Sequence, residues 1–233
     1  MITTISGSKQ KDDEKVVEII EKSLARILRR KPAAVLGLPG GRSVQGIFRL
    51  LAKNDTNDTG RTHFIPWNRV QLFWVDERLV PLDHAESNYR LAKELFLDEL
   101  VKKNKIPKEN IHPFDYKAGV LDYQKTLARY GGRYDLILLG VGEDGHIAGL
   151  FPHHPGLKKK NAFFTMNDAP KLPGQRMSIG SGLLQKAEVA IALFYGKEKE
   201  EAWKAFRNPA LGVEDCPAKL ILPIREAYAV IDL

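Results

Sequence analysis

Two patterns of apolar and polar positions alternate along the chain. Short continuous apolar runs are typical of strands that are buried on both faces of a sheet. They predict strands at 33–38, 70–75, 135–141 and 188–195, with shorter strands at 176–179 and 228–231. Stretches in which apolar residues recur every three or four positions are typical of amphipathic helices. They predict helices at 12–30, 44–51, 88–103 and 120–130, and a further helix around Ala202, Trp203 and Phe206.

Local signals mark the ends of these elements. Pro32 stops the first helix, and the pair Gly131–Gly132 closes the fourth. Ser87 is a suitable N-cap for the third helix. The polar segment 54–60 is predicted to be a surface loop.

The order of the elements predicts the fold class. At least five strands alternate with helices, which indicates a mainly parallel sheet covered on both faces and joined by right-handed crossovers. The prediction is therefore an α/β protein with three α/β/α layers and a Rossmann-like sheet. The chain has no internal repeat and no linker long enough to divide it, so residues 1–233 are predicted to form a single catalytic domain.

Composition narrows the class of protein. Hydrophobic residues make up 43% of the 233 residues and charged residues 28%, which is enough for a sizeable core. The longest apolar runs fall far short of the ~20 residues that span a bilayer. The first residues lack the apolar region of a secretory signal. One cysteine, Cys216, excludes an internal disulfide and a cysteine-based metal cage. These features predict a cytoplasmic enzyme.

The net charge of +7 is compatible with two kinds of partner. A basic protein can bind nucleic acid or phosphorylated small molecules. The basic runs here are short and scattered, and none is interleaved with aromatic residues as a base-stacking platform would be. We therefore expect no nucleic-acid partner and no membrane partner.

Glycines follow the first predicted strand. Gly40 and Gly41 lie between this strand and a helix, and Arg42 and Ser43 come next. A strand, a glycine pair and a helix can bind phosphate through backbone N–H groups at the helix start. A plain structural turn would give the same pattern, but the charge of Arg42 and the hydroxyl of Ser43 favour an anion site.

Charged and titratable residues follow two other strands. Asp76, Glu77 and Arg78 come directly after the strand at 70–75, and Asp144 and His146 lie in a glycine turn after the strand at 135–141. In open α/β sheets ligands bind beyond the carboxyl ends of the strands. An acid beside a histidine at such a point is a candidate base with its partner. His153 and His154 have no further ligand at zinc-type spacing, so we predict no metal and no cofactor.

Taken together, these segments resemble the 6-phosphogluconolactonase family, within the wider group that includes glucosamine-6-phosphate deaminase. The resemblance extends over nearly the whole chain and preserves the order of the motifs. The segments that carry it are 37–43, 74–78 with 86–89, 140–146 with 150–152, 170–171 with Arg176, and 195–197.

One position separates the two activities. The deaminases share the segment 144–148 but continue Phe-Asn-Glu-Pro, and their glutamate takes part in opening the sugar ring. This chain has Gly149-Leu150-Phe151-Pro152, and Phe151 cannot exchange a proton. Asp76, Glu77 and Arg78 also resemble the lactonase pattern, since the deaminases usually have Tyr in place of Arg78. The family often has Ser where this chain has Arg42.

The resemblance implies a substrate and a reaction. The substrate is 6-phospho-D-glucono-1,5-lactone, a phosphorylated sugar lactone of the pentose phosphate pathway, and the product is 6-phosphogluconate. His146 is the candidate base for the attacking water, Asp144 its orienting partner, and Asp76 a second carboxylate. Gly40, Gly41 and Arg78 are candidate donors to the oxyanion. The residues predicted to bind phosphate are Arg42, Ser43, Arg78, Lys171, Arg176 and Lys197, with Lys197 and Arg78 ranked first.

Two rival functions stay open. One is a glucosamine-6-phosphate deaminase or sugar-phosphate isomerase on the same scaffold, against which Phe151 argues. The other is a basic nucleic-acid-binding or regulatory protein, which the net charge supports and the Asp144–His146 pair opposes. A monomer or a small homo-oligomer is expected.

Overall fold

The computed structural model describes residues 2–53, 64–159 and 161–233, so the surface loop predicted at 54–60 lies outside the described residues. In chain order the strands are β1 (Ile2–Ser6), β2 (Ala34–Leu38), β3 (Val70–Trp74), β4 (Asp76–Arg78), β5 (Ile111–His112), β6 (Leu136–Gly140), β7 (Phe163–Met166), β8 (Arg176–Ile179), β9 (Val189–Tyr195) and β10 (Glu226–Asp232). The α-helices are α1 (Lys9–Leu28), α2 (Gln45–Lys53), α3 (Asn88–Ala92), α4 (Asp98–Lys102), α5 (Gly119–Ala128), α6 (Ser181–Leu184) and α7 (Glu200–Arg207).

Seven strands form a parallel central sheet in the order β1-β10-β9-β6-β2-β3-β5. Both faces are buried, which explains why the strand sequences are apolar at every position. Val35 and Ile137 face one core, with residues of α5 and α7, whereas Leu36 and Leu138 face the other, with residues of α1 and α2. The predicted three-layer α/β fold is confirmed.

A second, antiparallel sheet forms part of one outer layer. It contains β4, β8 and β7 in that order, and its apolar residues join the core that includes Val35. The two sheets connect at Val75, whose N–H donates to Leu38 O at 3.0 Å and whose carbonyl accepts from Ile179 N at 2.7 Å. Residues 76–78 are therefore a strand themselves. Of its three strands only β8 was predicted, at 176–179, because β4 consists of three charged residues and β7 has only four residues.

The helix predicted at 88–103 is continuous but not uniform. A π-helical turn, Lys93–Leu97, joins α3 to α4. Ser87 is the N-cap, as predicted, and its hydroxyl oxygen accepts a hydrogen bond from Arg90 N at 3.1 Å. The first helix begins at Lys9, three residues before its predicted start. Strands β1, β5 and β7 were not predicted, because they are short and all three lie at sheet edges.

The chain leaves β2 and β6 in opposite directions. These two strands are neighbours in the sheet; the chain proceeds from β2 to β3 and β5 on one side, and from β6 to β9 and β10 on the other. Such a switch point opens a crevice at the carboxyl ends of the strands. The turns that follow β2 and β6 lie on its two sides.

Candidate active site

A cleft of about 420 Å³ occupies this switch point. It is lined by residues from the ends of several strands, as the sequence predicted. The predicted residues that line it are Gly40, Gly41, Arg42, Ser43, Asp76, Arg78, His146, Lys171 and Arg176. Asp144 lies immediately behind His146 and contacts it.

Asp144 and His146 form a directly hydrogen-bonded pair. His146 Nδ1 lies 2.5 Å from Asp144 Oδ1, and the backbone N–H of His146 donates to the same oxygen at 3.2 Å. Burial alone would raise the pKa of Asp144, but these hydrogen bonds and the charge of Lys171, 4.0 Å away, lower it to about 2. Asp144 is therefore ionised at neutral pH, and the proton between the two groups belongs to Nδ1. In the neutral imidazole this leaves Nε2 as an acceptor.

Glycines make room for this pair. A Cβ on Gly142 would lie 1.9 Å from His146 Nδ1 and 2.6 Å from Asp144 Oδ1, so no larger residue fits without displacing the pair. Gly145 has a φ of +81°, which favours glycine. Its carbonyl accepts from Ala218 N at 2.9 Å, and the turn is closed by Gly142 N donating to His146 O at 2.8 Å. The turn is thus fixed by its own backbone and by the segment near Cys216.

Phe151 supports the imidazole from the protein interior. Its side chain is fully buried, and its ring centroid is 4.5 Å from that of His146, with a tilt of 37°. The guanidinium of Arg176 lies 5.6 Å from the same ring. Phe151 therefore packs against the candidate base.

Gly40 brings a neighbouring loop close to Asp76. A Cβ on Gly40 would lie 1.7 Å from Asn88 Oδ1, so the amide of Asn88 occupies the space that a side chain would fill. Asn88 Nδ2 donates to Asp76 O at 2.9 Å. This contact places the buried Asp76 beside the glycine turn.

Glu77 has a structural role, in contrast to its neighbours. Its buried carboxylate accepts hydrogen bonds from Arg78 N, Asn88 N and Tyr89 N at 2.7–2.8 Å and from the Ser87 hydroxyl at 3.1 Å. It holds the start of α3 against β4. Burial raises the pKa of Glu77, although the three N–H donors oppose this.

Two arginines of the small sheet reach the cleft from β4 and β8. Arg78 donates to Glu86 O at 2.7 Å and its side chain is about one-fifth exposed. Arg176 is almost fully buried and uses Nε and Nη2 to hold the carbonyl groups of Lys171, Leu172 and Pro173 at 2.9–3.2 Å. Arg176 therefore fixes the loop that carries Lys171 into the cleft.

The structure does not bring Lys197 to the cleft. Lys197 is exposed, and Lys199, two residues later, lines the cleft instead. The reason is the tight helical turn Lys197–Lys199 after Gly196, which points the two side chains in different directions. Burial lowers the pKa of Lys199, which Glu143 and Glu198 oppose. Lys199, and not Lys197, is therefore the lysine of this segment that lines the cleft.

Arg42 lies at the mouth of the cleft. Its side chain is 86% exposed, and Nη2 lies 3.5 Å from Glu198 Oε1. This exposed ion pair links the turn after β2 to the turn after β9.

Sequence reasoning missed several polar residues that line the cleft. Asn88 and Tyr195 belong to segments that carry the family resemblance but had no predicted role, whereas the others lie in α1, in β10 or in the turn after β9. These residues are Lys9, Asn88, Tyr195, Glu198, Lys199 and Asp232.

The described residues contain no group of three or more His, Cys, Asp or Glu side chains that could hold a metal. His154 has a local role, since its Nδ1 accepts from Gly156 N at 3.0 Å and its Nε2 lies 3.3 Å from Asp168. Within the same part of the chain, no helix is both long and apolar enough to cross a membrane.

Comparison with known proteins gives consistent matches. Residues 8–230 match the family described as glucosamine-6-phosphate isomerases/6-phosphogluconolactonase. The chain is 32% identical to a 6-phosphogluconolactonase of Borreliella burgdorferi over 192 residues, 80% of this chain and 78% of the relative. It is 29% identical to one of Synechocystis sp. over 231 residues, 94% and 90% of the two chains. The solved 6-phosphogluconolactonase of Thermotoga maritima has the same fold, with a TM-score of 0.81 at 24% identity over 99% of both chains.

Proposed function

The chain belongs to the glucosamine-6-phosphate isomerase/6-phosphogluconolactonase family, and from this membership we propose that it hydrolyses 6-phospho-D-glucono-1,5-lactone to 6-phosphogluconate. The observation that carries the proposal is the ionised Asp144 bound to His146 Nδ1 in a cleft lined with cationic side chains. The cleft then holds both a base that can take a proton from water and cationic groups that can bind a phosphate.

The first step is attack of water on the lactone carbonyl. Neutral water is a weak nucleophile, and a positioned base accelerates its attack by typically ~10²–10⁴-fold. His146 Nε2 takes the proton as the oxygen–carbon bond forms. Asp144 keeps the ring in the required tautomer and stabilises the imidazolium that results.

The carbonyl oxygen gains negative charge in this step. Donors aimed at that position stabilise the transition state more than the ground state. The backbone N–H groups of the Gly40–Gly41 turn and the guanidinium of Arg78 line the same cleft as His146, and they are the proposed donors.

The second step breaks the bond between the carbonyl carbon and the ring oxygen. The tetrahedral intermediate collapses, the ring oxygen leaves with the electron pair, and the imidazolium of His146 returns its proton to it. The product is the open-chain acid, and the base is regenerated. Asp76 is proposed to bind a substrate hydroxyl, since its buried carboxylate lines the cleft.

The phosphate is proposed to bind to cationic and hydroxyl side chains of the same cleft. Arg42, Ser43, Lys171 and Lys199 line it, and charge-assisted hydrogen bonds to phosphate are the strong ones. Arg176 contributes by holding the Lys171 loop. The proposed substrate is thus a small phosphorylated lactone, and the reaction requires no cofactor.

The family also contains enzymes that release ammonia from glucosamine 6-phosphate, and Phe151 argues against that reaction here. It is fully buried beside His146 and has no group that can transfer a proton.

The test is a direct comparison of two substrates. Freshly generated 6-phosphogluconolactone is mixed with the enzyme, and acid release is followed above the spontaneous background; ammonia release from glucosamine 6-phosphate is measured in parallel. We expect lactone hydrolysis and no ammonia. Ammonia release without lactone hydrolysis would favour the deaminase.

A further inference from the structure

Lys9 extends into the cleft from the start of α1. Its side chain is 46% exposed, its Nζ donates to Asp13 Oδ2 at 3.1 Å, and the Nζ lies 4.4 Å from the centre of the Tyr195 ring. An ammonium group has three donors, and the contact with Asp13 uses one. The two contacts hold the group in place and leave N–H groups for a ligand.

The ammonium lies beside the start of α2. A Cβ on Gly46 would lie 3.5 Å from Lys9 Nζ, and Gly46 is in the first turn of that helix. The helix follows directly on the Gly41–Ser43 segment, which lines the same cleft as Lys9. Lys9 is therefore close to the segment to which the phosphate site is assigned.

Carboxylates lie behind Lys9. Asp13 is buried beneath it, the charge of Asp232 acts on Asp13, and the charges of Asp13 and Asp232 act on the neighbouring Asp12. Without a cation in front of them, these groups would repel a phosphate dianion that entered the cleft. Lys9 both offsets this charge and offers donors.

We propose that Lys9 binds the phosphate group of the substrate, beside the first turn of α2, and that Asp13 and Tyr195 position it for this role. The proposal rests on the proposed function, since it assumes a phosphorylated substrate in this cleft. It adds a residue of the amino-terminal helix to a site that otherwise derives from strand-end turns.

Kinetics with two lactones test the role. Lys9→Met is expected to raise KM for 6-phosphogluconolactone roughly tenfold, the usual scale of one charge-assisted hydrogen bond, with kcat little changed. For glucono-1,5-lactone, which lacks the phosphate, kcat/KM should not change. Lys11→Met, an exposed lysine on the same turn of α1, is the matched control and should match the wild type. Lys9→Arg should recover most of the affinity.

An equal loss with both lactones would show that Lys9 acts only through the fold, and would overturn the proposal. The same conclusion would follow if Lys9→Met had the KM of Lys11→Met, or if Lys9→Arg were as impaired as Lys9→Met while remaining folded.

A binding measurement separates this proposal from the proposed function. The melting temperature is recorded against inorganic phosphate concentration for the wild type, Lys9→Met and Lys11→Met. We expect that Lys9→Met alone will need a higher phosphate concentration for the same rise in melting temperature. If the wild type fails to hydrolyse the lactone but this difference is found, the activity is wrong and the phosphate site stands. If all three proteins respond alike, the role of Lys9 is refuted whatever the activity.

Discussion

At the scale of single residues, the Asp144 carboxylate determines which nitrogen of His146 carries a proton. It is ionised, with a pKa of about 2, and contacts Nδ1 at 2.5 Å. Nε2 is then the atom that can accept a proton from water. A spacing of two residues suggested this partnership in the sequence but could not show contact, which depends on the glycine turn.

Asp144→Asn should lower kcat by roughly 10²-fold or more, because the amide no longer selects the required tautomer, with little change in KM. Glu143→Gln is the matched control, since Glu143 is exposed in the same turn. Equal kcat for the wild type and Asp144→Asn would contradict the role.

The same carboxylate predicts a pH dependence of stability. The pKa of Asp144 falls from 3.8 to about 2 on folding, so its stabilising effect is full above pH ~4 and disappears as the pH falls toward 2. Over that interval the free energy of unfolding should therefore fall less in Asp144→Asn than in the wild type.

Gly142→Ala should abolish most of the activity and leave the fold intact. The new methyl would lie 1.9 Å from His146 Nδ1, so the imidazole must move, and displacement of a catalytic group by ~1 Å can cost 10²-fold in rate. Gly182→Ala is the control, because a Cβ there meets nothing within 4 Å. Circular dichroism checks folding and lactone hydrolysis gives the rate. Full activity in Gly142→Ala would mean that the observed pair is not the working geometry.

At the scale of elements, the small antiparallel sheet and α3 form the wall of the cleft that carries Asp76 and Arg78. Glu77 joins the two elements through three backbone N–H groups and the Ser87 hydroxyl. The sequence indicated a site at 76–78 and predicted roles for Asp76 and Arg78, but not for Glu77. The alternation of a short strand places Asp76 and Arg78 on the cleft side, and Glu77 on the other.

Glu77→Gln should destabilise the protein by about 2–4 kcal/mol, since an amide NH₂ would face backbone donors in a buried position. Glu99→Gln on α4 is the control; the Glu99 side chain is about half exposed and makes only an i,i+4 ion pair with Lys103, so its loss should change stability by no more than ~0.5 kcal/mol. Urea unfolding gives both values. A Glu77 variant as stable as the Glu99 variant would show that Glu77 does not hold α3 in place.

At the scale of the whole molecule, the parallel sheet gathers residues that are far apart in the chain. Lys9 and Asp232 lie near opposite ends of the sequence and line the same cleft because β1, β10 and β9 are neighbours in the sheet. The strand cores could be predicted because both faces are buried, and the strand-end site followed from the fold class. The residues contributed by α1 and β10 could not, because their place depends on strand order. Lys199 was missed for a local reason, the tight turn after Gly196.

The net charge of +7 and the cationic cleft predict a dependence on salt. KM for 6-phosphogluconolactone should rise severalfold between low ionic strength and ~0.15 M, because salt screens the attraction of the phosphate. The KM of the uncharged glucono-1,5-lactone should stay constant. Initial rates at several NaCl concentrations give both values. A phosphorylated substrate whose KM is insensitive to salt would argue against the cationic cleft as its binding site.

The most direct test of the account is the rate of 6-phosphogluconolactone hydrolysis above background for the wild type, His146→Ala and His153→Ala. His153 is an exposed histidine seven residues away and is the control. The account predicts that His146→Ala loses ~10²–10⁴-fold in kcat and that His153→Ala retains the wild-type rate. An unchanged rate in folded His146→Ala would contradict the assignment of His146 as the base.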